Sequence, residues 1–177
     1  MSRSVLLLRA VNVNGRNSVP MARLREVLAD ETDLTDVATY IASGNIVCAT
    51  PRKPAAACAS VQKAIAAEFG VDTPVIHRTH AQLVASEKAQ PFPDGEEKFV
   101  HAMFLAGAAS PGAVAALEER LQPGEHLALV GDDLWIDYGP GGVHSTKLTK
   151  AVLDRALGVA GTARNLRTTR KLIELTV

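Results

Sequence analysis

The chain has 177 residues, with 19 Lys+Arg against 19 Asp+Glu, a formal charge of zero, 47% hydrophobic residues and 21% charged ones. That composition supports a buried core, in one domain or two small ones, and excludes a disordered tail. Aromatic residues make up 4%, which argues against a platform of stacked rings for single-stranded nucleic acid.

Ser4 to Val11 is rich in Val and Leu and reads as a buried strand. It resembles the apolar stretch of a signal peptide only briefly, because Arg9 and Asn12 interrupt it. No apolar run approaches the ~20 residues that span a bilayer. A polar loop, Asn12 to Asn17, follows, with Asn and Gly suited to positive φ. Ser18 or Val19 caps a helix with Pro20 in its first turn and Met21, Leu24, Val27 and Leu28 as its stripe. Val37 to Ile41 and Ile46 to Thr50 form a hairpin across Ala42-Ser43-Gly44-Asn45. Pro54 opens a second helix that Gly70 stops, and Thr73 to Arg78 is a strand. Thr79-x-x-Gln82 has the spacing of a capping box for a connecting helix to about Lys88.

Gln90 to Gly95 is a Pro/Gly break and the boundary candidate, dividing the chain into 1–90 and 96–177. The order then repeats. Lys98 to Ala106 is a strand, Ser110-Pro111 starts a helix, and His126 to Val130 pairs with Leu134 to Tyr138. A glycine-rich loop, Gly139 to Gly142, leads into an expected helix from about Ser145 to Leu157. An extended piece near Val159 to Thr162 precedes an expected final helix over about Ala163 to Glu174, capped by Thr162. Two β-α-β-β-α-β runs of about 80 residues predict an α+β fold. It has two ferredoxin-like halves with antiparallel sheets, a connecting helix and a C-terminal helix. A single mixed sheet is the alternative.

The charges are uneven. Residues 1–25 hold Arg3, Arg9, Arg16, Arg23 and Arg25 and no acid. Residues 144–171 hold Lys147, Lys150, Arg155, Arg164, Arg167, Arg170 and Lys171 against Asp154 alone. Ends that meet in space would set up a positive field on a neutral molecule; otherwise these are solvated charges.

Three segments are candidates for anion binding. In Gly139-x-Gly141-Gly142-x-His144-Ser145-Thr146-Lys147, glycines admit close approach, and Ser145 or Thr146 is expected at a helix N-terminus beside Lys147. It meets neither the Walker A nor the G-x-G-x-x-G frame. In the segment from Gly161, Arg164, Arg167 and Lys171 are expected to share a helix face next to Asn165. Arg9 with the loop Asn12 to Asn17 is the third, and the turn Ser43-Gly44-Asn45 adjoins the list. Each also has a plain structural reading, as a capped helix, a solvated face, a strand-end Arg or a tight hairpin.

Other chemistry finds no support. No G-x-S-x-G surrounds a serine. His77 and His80 lack an H-E-x-x-H frame, so no metal site is expected. Cys48 and Cys58 have no metal or redox spacing and read as packed, reduced thiols. No paired carboxylates suggest acid–base catalysis, no cofactor is indicated, and no reaction type is fixed, with His144 the first suspect for an acid or base.

Several segments resemble the bacterial domain-of-unknown-function family 1697. They are Leu6 to Asn17 with Val19-Pro20-Met21, Tyr40 to Val47, Ser145 to Thr149, Leu157-Gly158-Val159, Thr162 to Asn165, and Lys171-Leu172. The resemblance spans essentially the whole chain and implies a cytoplasmic protein of two ferredoxin-like halves, with no established activity. Ala10 and Asn14 stand where that pattern commonly has Gly, and Leu166 where it usually has Trp.

These readings converge on a phosphate-bearing small molecule held in a basic cleft between the halves. The residues expected to line it are Arg9, Asn12, Gly15, Asn17, Ser43, Asn45, His144, Ser145, Lys147, Arg164 and Asn165. Binding of nucleic acid is less favoured, because Phe99 and Phe104 fall at odd spacing and no aromatic pair is visible. A non-catalytic dimerising or interaction domain is the third reading. No membrane partner is expected, and the oligomeric state is not legible.

Overall fold

Strand β1, Arg3–Leu8, carries an uninterrupted apolar run and forms an inner strand of the first sheet in a computed structural model that describes residues 2–177. The first sheet also contains β2 (Ala38–Tyr40), β3 (Asn45–Ala49) and β4 (Val75–Thr79), in the order β2-β3-β1-β4. All its pairings are antiparallel, with Leu6 opposite Ile46 on one side and His77 on the other. Helices α1 (Met21–Glu31) and α2 (Pro54–Phe69) cover one face. Leu6, Leu8, Ile46 and Cys48 pack there against Leu24, Leu28, Val61 and Ile65. Each such side chain contributes roughly 1.5–3 kcal/mol when fully buried. The opposite face is buried as well, at Val5, Leu7, Asn45 and Val47.

The capping box predicted at Thr79 forms in full. Thr79 N–H donates to Gln82 Oε1 at 2.9 Å, Gln82 N–H donates to Thr79 Oγ1 at 3.1 Å, and α3 (His80–Ala89) follows.

The second sheet repeats the plan with β5 (Val100–Leu105), β6 (His126–Val130), β7 (Asp133–Asp137) and β8 (Gly161–Asn165), in the order β6-β7-β5-β8. Helices α4 (Ala113–Glu118) and α6 (Lys150–Leu157) cover one face, where Ala113, Leu117, Leu153 and Leu157 meet Met103, Leu105, Leu134 and Ile136. Both sheets therefore have the ferredoxin-like order, and the fold is the expected α+β pair. The chain divides into a first unit, Met1–Leu83 with Leu172–Val177, and a second, Val84–Lys171. No helix among the described residues is long and apolar enough to cross a membrane.

Two expected helices are redrawn. The helix expected from Ser145 to Leu157 is broken into α5 (Gly142–Ser145) and α6. Thr146 is extended at φ −75° and ψ 149°, Leu148 is buried in the core cluster of the second sheet, and Thr149 caps α6 by accepting from Val152 N–H. Burying Leu148 from an extended segment outweighs continuing the helix. The helix expected from Ala163 starts later, as α7 (Leu166–Leu175), because residues 161–165 pair along β5, from Leu105↔Gly161 to His101↔Asn165. Asn165, not Thr162, is the cap, its Oδ1 accepting from Thr168 N–H at 2.9 Å.

Candidate functional site

The chain leaves β1 under unusual constraint. Ala10, Asn12, Asn14, Gly15 and Asn17 all have positive φ, from 50° to 72°. Asn and Gly tolerate this region, whereas Ala does so at a cost. Asn14-Gly15 forms a two-residue turn across which Val13 and Arg16 exchange main-chain hydrogen bonds at 3.2 and 2.9 Å. Asn12 N–H closes the outer ring on Asn17 C=O at 2.9 Å. Thr73 anchors the start of the loop, its Oγ1 accepting from Arg9 N–H at 2.9 Å and donating to Arg9 C=O at 2.8 Å.

The β2–β3 turn joins this loop. Asn12 Nδ2 donates to Ala42 C=O at 2.8 Å and to Val19 C=O at 2.9 Å, and its Oδ1 accepts from Val19 N–H at 2.8 Å. Asn17 Nδ2 donates to Ala10 C=O at 2.9 Å. Asn45, fully buried, donates to Tyr40 C=O and to Ser43 Oγ. Leu8 N–H donates to Gly44 C=O at 2.9 Å, and a Cβ on Gly44 would stand 2.7 Å from Leu8 Cβ, so only glycine fits. Ile41 has φ 48°, a strained state for a β-branched residue, and both it and Val13 are about half exposed. Arg9, Asn12, Gly15, Asn17, Ser43 and Asn45 thus belong to one neighbourhood of the first unit. The asparagine amides serve as its ties. Arg9 is half-buried, and Arg16, which is not among the residues expected to line the cleft, is exposed at the turn. The Asn14-Gly15 pair is the signal that locates Arg16; nothing in the sequence marks Ile41.

Three of the other basic residues near the chain ends are neutralised within their own unit. Arg3 pairs with Asp36, Arg23 with Glu26 and Glu68, and Arg170 with Glu87 and Glu97. The carboxylates beside Arg23 push its pKa up, and Arg23 in turn draws Glu68 down.

In the second unit, Gly139 is required by shape, since a Cβ there would lie 2.7 Å from Gly124 C=O. His144, Ser145 and Lys147 are exposed. Ser145 ends α5 instead of opening a helix. Its Oγ donates to Gly141 C=O at 3.1 Å, and Gln122 Nε2 donates to its carbonyl. The carbonyl end of a helix disfavours anions, so the expected helix-start subsite is absent at that position. Arg164 lies on β8, not in a helix, and shares no helical face with Arg167 and Lys171. It sits opposite Ala102 on the helix-free face, with Thr162, Phe104 and Trp135 in the neighbouring pairs, and is only 6% exposed. Its guanidinium donates to Thr162 Oγ1 at 2.9 Å and to Ala163 C=O at 2.8 Å, and burial pushes its pKa down to about 10.

Two hollows lie elsewhere in the first unit. One, of about 660 Å³, is bordered by Thr35, Thr50, Arg52, Lys53 and Ala57. The other, of about 360 Å³, lies between α1 and α2 beside Arg23 and Lys63. Neither is lined by a residue expected from the sequence to line the basic cleft. Among the described residues no group of three or more His, Cys, Asp or Glu is placed to hold a metal ion.

A model of the family described as "Protein of unknown function (DUF1697)" matches residues 1–135. The chain belongs to that family. The matched span takes in the strained loop and the β2–β3 turn and stops before His144, Ser145, Lys147, Arg164 and Asn165. The chain is also similar to the solved structure of the conserved bacterial protein SP0830 from Streptococcus pneumoniae. That match has a TM-score of 0.77 at 22% identity, covering 99% of each chain, and it establishes a shared fold. No curated protein matches the chain.

Proposed function

We propose that the protein binds an anionic, phosphate-bearing small molecule at the loop that follows β1. The observation that supports this is the concentration of left-handed backbone at residues 10, 12, 14, 15 and 17, joined to the turn at Ile41–Gly44. Strain of this kind persists where surrounding contacts enforce it, and it gathers at ligand sites. Arg9 and Arg16 supply the charge. The exposed amides of Asn14 and Gly15, which have no protein acceptor among the described residues, supply main-chain donors. Ser43 supplies a hydroxyl, while Asn12, Asn17 and Asn45 hold the frame. His144, Ser145 and Lys147 are a separate exposed group, and Arg164 and Asn165 shape the sheet of the second unit.

The test is thermal unfolding in the presence of inorganic phosphate, nucleotides and sugar phosphates. A ligand at a hundred times its Kd stabilises by about 2.7 kcal/mol. Arg9→Gln and Arg16→Gln are each expected to weaken binding about tenfold, the loss of a charge-assisted hydrogen bond. Lys147→Ala is expected to bind as the parent does. Absence of any shift in the parent protein, or equal shifts in the parent and both arginine variants, overturns the reading.

A further inference from the structure

The second sheet has an edge at β6, His126-Leu127-Ala128-Leu129-Val130, which pairs only with β7 among the described residues. Which groups face outward follows from the neighbouring ladder. Tyr138 N–H donates to Phe99 C=O and Leu105 N–H to Asp132 C=O, so even-numbered positions along β7 bond toward β5 and odd-numbered ones toward β6. The hydrogen-bonded pairs of the hairpin are therefore His126–Asp137, Ala128–Trp135 and Val130–Asp133. The two-residue turn Gly131-Asp132 agrees, since it closes on a hydrogen-bonded pair. Leu127 and Leu129 direct their main-chain N–H and C=O groups out of the sheet.

Natural edges are blunted by charge, proline, bulges or shortness. β6 has five residues, no formal charge, no proline and an unbroken register. The edge at β2 is three residues long, and β4 and β8 carry Arg78 and Arg164. Leu129, opposite Leu134 on the helix-covered face, is 37% exposed, so apolar surface continues to the open rim.

We propose that β6 pairs with β6 of a second copy of this chain, antiparallel about a twofold axis at Ala128, joining two four-stranded sheets into one. The strand is its own complement in this register. Leu127 lies opposite Leu129 of the other copy and the reverse holds by symmetry, so every outward N–H and C=O of both residues meets a partner. Leu129 is covered by the Leu127 side chain across the axis. No two acids are directly opposed, because Glu125 falls opposite Gly131 and Asp132 opposite Gly124, but Glu125 of one copy is a diagonal neighbour of Asp132 of the other, a like-charge approach that weakens the pairing. A slip by one residue would bring inward-facing groups to the interface and lose these bonds. A contact of one short strand per copy makes a weak dimer that depends on concentration.

Sedimentation across micromolar to millimolar protein tests the pairing. The mass is expected to rise from 18.7 kDa toward twice that value. Leu129→Pro deletes an outward N–H without touching the bonds to β7, and Leu129→Lys brings like charges together near the axis. Both are expected to stay at 18.7 kDa with unchanged far-UV circular dichroism. Should the proline variant unfold, the lysine variant decides. At the axis the two Ala128 residues form a non-hydrogen-bonded pair with Cα atoms about 4.5 Å apart, within disulfide range. Ala128→Cys is therefore expected to give a covalent dimer on oxidation. A parent protein that stays monomeric throughout, variants that dimerise like the parent, or an Ala128→Cys protein that resists cross-linking would each overturn the pairing.

Discussion

Asn12 ties three segments together with one side chain, and it occupies a backbone region that Asn tolerates better than most residues. Asn12→Ala is expected to cost about 2–3 kcal/mol in denaturant unfolding, through three lost hydrogen bonds and the main-chain groups of buried Val19 left without this partner. Histidines set an acid limit. Burial holds His101 below its ordinary pKa of 6.5, against a smaller opposing pull from its bond to Phe99 C=O. Burial, with Arg78 beside it, holds His77 below the same value. The unfolded chain therefore takes up these protons first, and stability is lost as pH falls below 6.5 toward the folded values. The melting temperature is expected to drop between about pH 7.5 and about pH 5.5. The drop is smaller in His101→Asn, which keeps a donor but cannot titrate. Cys48 is fully buried, and burial pushes its thiol up to about 11. A thiol-specific reagent at neutral pH is expected to modify it only on unfolding. At this scale the Asn-Gly turn was readable because those residue types prefer positive φ. The tie from Asn12 to Ala42 was not, since it joins residues thirty positions apart.

Elements announced themselves where their signals are local. The Thr79–Gln82 box and the helix stop at Gly70 rest on spacings of a few residues, and both formed. Thr79→Ala is expected to cost about 1 kcal/mol in the same unfolding measurement. The errors fall where a distant partner decides. Leu148 falls inside the expected helix, but it reaches the core from an extended segment before Thr149 caps α6. Residues 163–165 read as a helix start until β5 supplies a strand to pair with. The candidate site changed with these boundaries, because subsites drawn at Ser145 and Arg164 assumed helix starts.

At the scale of the whole molecule, one strand order appears twice with no evident sequence repeat. Pattern alone carried it, since each half alternates one-sided helices with apolar strands. The first unit also recruits Leu172–Val177. Arg3 Nη1 donates to Leu175 C=O at 3.2 Å, and His80 Nδ1 meets Thr176 Oγ1 at 3.0 Å. Ending the chain after Lys171 is expected to speed amide exchange in β1 and β4 while β5–β7 keep their protection.

Asn165 is at once the last residue of β8 and the cap of α7, with no linker between them. The sliding of that strand and the rotation of that helix are consequently a single motion. A displacement by one position would turn Ala163 inward, expel Arg164 to water and strip Thr168 N–H of its acceptor, all in the same step. The terminal stretch is thereby keyed, like a ratchet with one tooth, to a single alignment.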